Sequence, residues 1–132
     1  MASAKSVTGT VVHRLTRWGT ASVLVGSALA LPRRTRAFGL QTLMWGAIDV
    51  ALAAFTRRRA EVPKKRMLRR ILLVNAALDV GYVATGAHLA VRQPTLGGRL
   101  SAAEARGHGL AVVIQGAALF VIDLTAARRL RR

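Results

Sequence analysis

Four apolar stretches, residues 18–32, 37–56, 71–91 and 107–127, alternate with short basic segments along the chain. No run alternates with period two, so strands are not expected, and the lengths suit helices. All 21 Lys and Arg lie outside these stretches, yet three of the five acids, Asp49, Asp79 and Asp123, lie inside them. A soluble helical protein spreads its acids over wetted faces and buries carboxylates last. The inversion points to lipid as the solvent. The pattern predicts an all-α fold, a four-helix transmembrane bundle of up-down topology. Its parts are a basic cytoplasmic N-terminal segment (1–17), a four-span domain (18–127) and a basic cytoplasmic tail (128–132).

At 1.5 Å per residue, 37–56, 71–91 and 107–127 are each long enough to cross a hydrocarbon core about 30 Å thick. Each also carries one Asp. A mid-helix Asp costs on the order of 3 kcal/mol on an insertion scale, whereas each Leu, Ile or Val returns about 0.5. Such spans are marginal alone and need one another. The first stretch, with 15 residues, spans only if it extends back past Arg17 and Arg14 with their charged heads snorkelling to the surface. Its rival reading is a secretory signal peptide with Ala28-Leu29-Ala30 as the cleavage site. Gly19, Ser22, Gly26 and Ala30 line one narrow face, which suits close helix packing.

Local signals place the helix ends. Pro63 fits the first turn of a helix running through the basic 64–70 segment into the third span. Gly97-Gly98 marks a turn, and Ser101 with Glu104 has capping-box spacing, so the fourth helix is expected to begin at Ser101 outside the membrane.

Hydrophobic residues make up 52% of the chain, with 12 Gly besides, and the formal charge is +16. That charge would suit nucleic acid or anionic lipid, and its distribution chooses lipid, because the basic clusters sit at the ends of apolar runs. The runs Arg57-Arg58-Arg59 and Lys64-Lys65-Arg66 resemble nucleic-acid patches, but beside a span they hold topology and meet head groups. A soluble nucleic-acid binder is the least favoured class. Four spans put fifteen basic residues on one side and six on the other, so both termini and the 57–70 loop are expected in the cytoplasm. Zero Cys excludes disulfides, thiolate metal sites and thiol catalysis. No phosphate loop, nucleophile elbow or zinc-protease helix is present, so no enzyme activity and no cofactor are expected.

Candidate chemistry lies in the intramembrane polar residues. Asn75, Asp79, Tyr82 and Gly86 share one face of the third span. Gln41 and Asp49 in the second span are repeated in spacing by Gln115 and Asp123 in the fourth, a pattern that a duplicated two-helix unit would leave and that low-complexity apolar helices also produce by chance. With the orientation above, the three Asp fall in one layer, roughly 6 to 12 Å below the cytoplasmic boundary. Three carboxylates in low dielectric do not all ionise cheaply, so a shared proton or a bound cation is expected among them. The bland alternative is structural: Asp, Asn and Gln hydrogen-bonding across helices, with Asp123 ion-paired to Arg128 or Arg129 at the interface. An organic-ligand pocket lined by Trp45 and Tyr82 is a third reading, against plain aromatic packing. His88 and His108 could face one another as haem or metal ligands, although a His at head-group level is more often just solvated. His13 has no partner type nearby.

The stretch 69–82, with Asn75, Asp79 and Gly81-Tyr82, followed by Gln115-Gly116 and Ile122-Asp123-Leu124, resembles a family of small uncharacterised bacterial membrane proteins. The match is moderate over 66–127 and weaker over 38–56, where this chain has Gly46 and Asp49 while the family tends to carry Asn. The resemblance implies a four-helix integral protein of a bacterial inner membrane and supplies no activity. The leading expectation is a non-enzymatic membrane component whose Asp/Asn/Gln layer organises the bundle, in contact with anionic lipid and with a second copy or a partner protein. The alternative is a small proton- or cation-coupled transporter or channel. Either way the candidate residues are Asp49, Asp79, Asp123, Asn75, Gln41, Gln115 and Tyr82.

Overall fold

The computed structural model describes residues 2–59 and 61–131. Four helices account for most of them: α1 (Ala4–Ala30), α2 (Arg36–Arg58), α3 (Lys65–Arg92) and α4 (Ala102–Arg129). The fold is an all-α bundle, with no strand among the described residues. Cross-helix contacts set the topology. Gly26 approaches Gly39 and Gly19 approaches Gly46, while Gly86 meets Gly109 and Gly116 meets Asp79. Both hairpins are therefore antiparallel, and α2 runs alongside α4 in the same direction, Ala37 against Gly107 and Gln41 against His108. The result is up-down-up-down.

Close packing of small residues holds each hairpin. The predicted face of Gly19, Ser22, Gly26 and Ala30 lies on α2, where Gly39, Thr42, Gly46, Asp49 and Ala53 are buried at alternating spacings of three and four. A Cβ on Gly39 would fall onto the backbone of Leu29 and Ala30. In the second hairpin a Cβ at Gly109 would sit 2.5 Å from both Ala90 N and Gly86 O. Such approaches let backbones rather than long side chains make the van der Waals contact. The tight α1–α2 turn is fixed by polar groups: Thr35 Oγ1 donates to Leu29 O (2.6 Å), and Arg36 donates to Ala30 O (3.2 Å) and Leu31 O (3.1 Å). These bonds satisfy carbonyls that a helix end otherwise leaves orphaned.

Three of the sequence-derived boundaries shift. Residues 4–17, read as a segment preceding the first span, are continuous with it in one helix, because nothing breaks the helix there and Ser3 accepts from Ser6 N at 3.1 Å as its N-cap. Pro63 lies just before α3 rather than in its first turn, and Lys64, with extended ψ, is the N-cap. The fourth helix begins at Ala102, one residue beyond the expected start, with Ser101 as its cap. The capping box itself forms, with Glu104 N bound by Ser101 Oγ (3.0 Å) and Ser101 N by Glu104 Oε1 (3.1 Å). Gly97 and Gly98 form the expected turn at positive φ.

The distribution of burial is inverted relative to a soluble bundle. Leu24 (68% exposed), Phe55 (65%) and Val74 (59%) face outward, while Asp49 (1%) and Asp79 (3%) face inward. An ordinary apolar cluster lies at one end, where Val7, Leu68, Leu72, Ala126, Ala127 and Leu130 meet. Three helices, α2, α3 and α4, are long and apolar enough to cross a membrane. α1, 27 residues long and carrying Lys5, Arg14 and Arg17, is not among them.

Candidate functional site

The hairpins meet unevenly. α4 packs on α2 and, less extensively, on α1, whereas the α3 backbone runs close to that of α4 and reaches the first hairpin through side chains, as where Leu68 and Leu72 meet Val7. A seam is left between α3 and the first hairpin, and two cavities occupy it. One, of about 220 Å³, is lined by Val11 and Leu15 of α1, by Trp45, Ile48, Asp49 and Leu52 of α2, by Asn75, Leu78, Asp79 and Tyr82 of α3, and by Leu119 and Asp123 of α4. The second, of about 210 Å³, shares Val11, Leu15, Leu52, Asn75 and Asp123 with the first and runs to Arg59, Glu61 and Pro63 in the basic loop. The two spaces adjoin across these shared residues, one beside the α2–α3 loop and the other among the aspartates.

Five of the seven candidate residues, Asp49, Asp79, Asp123, Asn75 and Tyr82, thus surround one space. The charged groups close enough to act on each aspartate are the other aspartates. All three are buried. Oδ2 of Asp49 and Oδ2 of Asp79 are enclosed and have no hydrogen-bond partner, and neither has the indole Nε1 of Trp45. Buried polar atoms are ordinarily satisfied, and those that are not call for a ligand, a proton or solvent. Trp45 and Tyr82 also pack on each other edge to face, with centroids 5.1 Å apart and planes at 63°. This pair connects α2 and α3, whose backbones lie farther apart than those within either hairpin.

The two glutamines go elsewhere. Gln115, 1% exposed, accepts from Trp18 Nε1 (2.8 Å) and donates to Ser22 Oγ (3.1 Å), tying α4 to α1. Gln41 Oε1 meets His108 Nδ1 at 3.2 Å, tying α2 to α4. Neither lines the aspartate cavity. His108 is engaged with Gln41, and His88 is exposed, so the two do not form a ligand pair. Arg129, offered by the sequence as an ion-pair partner of Asp123, instead donates to Thr10 Oγ1 (3.0 Å), and Arg14 reaches Thr125 Oγ1 (3.1 Å). Among the described residues no three His, Asp or Glu converge in a geometry that would hold a metal ion.

Sequence reading missed Trp18 and Trp45 Nε1. The available signal was that an indole N–H inside an apolar helix must find an acceptor or stand exposed as a donor.

Residues 14–124 match a family of unknown function, DUF6992, and the chain belongs to it. No curated protein and no solved structure matches the chain.

Proposed function

We propose that the protein is a small multi-pass protein of a bacterial inner membrane, and that the Asp49–Asp79–Asp123 group is its proton-binding site, the centre of a proton-coupled transporter. The observation that carries the reading is the gathering of three buried aspartates around one cavity, with an enclosed, unpartnered oxygen on Asp49 and another on Asp79. Carboxyls acting only as structural glue would spend both oxygens on neighbouring helices. Here one oxygen of Asp49 and one of Asp79 have no such partner. Three like charges with no basic partner retain at least one proton, so the group can load and release protons without breaking the fold.

Membrane insertion is supported by the outward aliphatic residues, the inward acids and the three long apolar helices. α1 belongs with them as a fourth, retained span, because excising it would strip Gln115 of both its partners. Its helix extends past Arg17 and Arg14 as a span of this composition requires. The charge asymmetry favours cytoplasmic termini and a cytoplasmic 59–64 loop against anionic head groups. The role of bundle organiser falls to Gln115 and Gln41, whose side chains are hydrogen-bonded across helices.

Reconstitution into liposomes with an internal pH-sensitive dye tests the proposal. Wild type should dissipate an imposed pH gradient, and Asp79→Asn should not. Equal proton flux in the two, at equal incorporation, would overturn it.

A further inference from the structure

Resting on that reading, we propose that the cavity takes a lipophilic organic monocation, a quaternary ammonium or protonated amine on an apolar body, held between the Asp49 and Asp79 carboxylates and the Trp45–Tyr82 pair.

Three observations converge on this class. The walls other than the carboxyls are mostly aliphatic, from Val11 and Leu15 to Leu78 and Leu119, so an inorganic ion would exchange its water for too few oxygens. No metal-holding cluster exists among the described residues, which removes the chief alternative cation. Two aromatic rings line the same cavity about one helical turn from the acids, and ring faces attract an organic cation with about 0.5 to 2 kcal/mol. Anions are excluded by the three carboxyls, and a neutral ligand would leave the two lone Asp oxygens unanswered.

The route of entry follows from the seam. Ile48, Leu52 and Leu78 line the cavity while remaining 43%, 53% and 52% exposed, so the space opens sideways between α2 and α3. From the loop side a cation would first pass the basic residues around Arg59. An amphipathic cation dissolved in the leaflet avoids that barrier and reaches the acids through the aliphatic gap.

Charge balance couples the ligand to the proton. A monocation entering the group displaces one proton, so apparent affinity rises with pH until the carboxyls are ionised. The titratable groups facing the space are Asp49 of α2, Asp79 and Tyr82 of α3 and Asp123 of α4; α1 contributes only Val11 and Leu15, and Arg59 and Glu61 stand at the far mouth of the adjoining cavity.

The experiment is equilibrium binding of benzyltrimethylammonium to the full chain in nanodiscs, with proton release measured alongside. Saturable binding is expected, with about one proton released per ligand and no displacement by neopentylbenzene, the uncharged isostere. Asp79→Asn should weaken binding by about tenfold or more, the loss expected for one desolvated charge partner. Trp45→Leu, which leaves every carboxyl in place, should weaken it by about threefold or more. Absence of saturable binding, or equal competition by the isostere, would overturn the ligand class. An infrared carboxyl stretch that disappears in the Asp49→Asn/Asp79→Asn/Asp123→Asn protein reports the proton site separately. If that signal is present while the cation fails to bind, the proton site stands and this inference falls; if it is absent, both fall.

Discussion

Gln115 and Asp79 are buried to nearly the same degree, 1% and 3% exposed, in neighbouring helices of one bundle, yet they do opposite things. Gln115 sits where α4 faces α1 and uses its amide in both directions, accepting from Trp18 and donating to Ser22. Asp79 sits on the seam that α3 leaves open and keeps an oxygen without a partner. An amide can satisfy itself as donor and acceptor at a closed contact, whereas an ionised carboxylate only accepts and must import a proton or a cation when its neighbours are acids. Burial alone therefore says little about role; closure of the surrounding contact decides it.

The comparison presumes that each hairpin is a rigid body, and the strongest way to break it is to force one apart. Gly39→Val would drive a side chain into the backbone of Leu29 and Ala30 and should cost at least about 3 kcal/mol, the upper range for overpacking, read as loss of the folded species in an SDS unfolding titration. Gly81 is the control, because a Cβ there meets nothing within 4 Å. Gly81→Ala should leave stability unchanged or raise it by up to about 1 kcal/mol through helix propensity. Equal effects at the two positions would mean that the glycines are not what holds the hairpin.

Next in size is Gln115→Leu. It strands the Trp18 indole and the Ser22 hydroxyl, and the expected loss is about 1 to 3 kcal/mol in the same titration, with proton flux retained. Asp79→Asn should show the reverse pattern. Removing one of three clustered carboxyls relieves crowding, so stability should stay within about 0.5 kcal/mol of wild type or rise, while proton flux disappears. A large stability loss at Asp79 with unchanged flux would return the aspartates to the role of structural glue.

Much of this contrast was legible in the sequence and part of it was not. The acids inside apolar runs gave the layer, because depth along a helix follows directly from residue count. The Gly19, Ser22, Gly26 and Ala30 face likewise follows from helical periodicity, as does the Ser101 capping box. Periodicity could not separate Gln41 and Gln115 from Asp49 and Asp123. A spacing of eight leaves each pair about 80° apart around the helix axis and about 12 Å apart in height, and the partner met at each position belongs to another helix. The apolar cluster of Val7, Leu68 and Leu130 was illegible for a related reason: it joins a leading segment that carries no span signal to the starts and ends of other helices.

The smallest expected effect sharpens the comparison inside the amide pair itself. Gln41 meets His108 at 3.2 Å and is half-buried where Gln115 is enclosed. Water or head groups can replace that bond at a partly exposed level, so Gln41→Leu should cost less than about 1 kcal/mol, well below Gln115→Leu. The spacing in the sequence makes the two glutamines look equivalent, as expected of a duplicated unit, and an equal cost at both sites would show that the symmetry extends to energetics. An unequal cost would show that the two halves share a backbone plan while only the contact between α1 and α4 depends on its amide for closure.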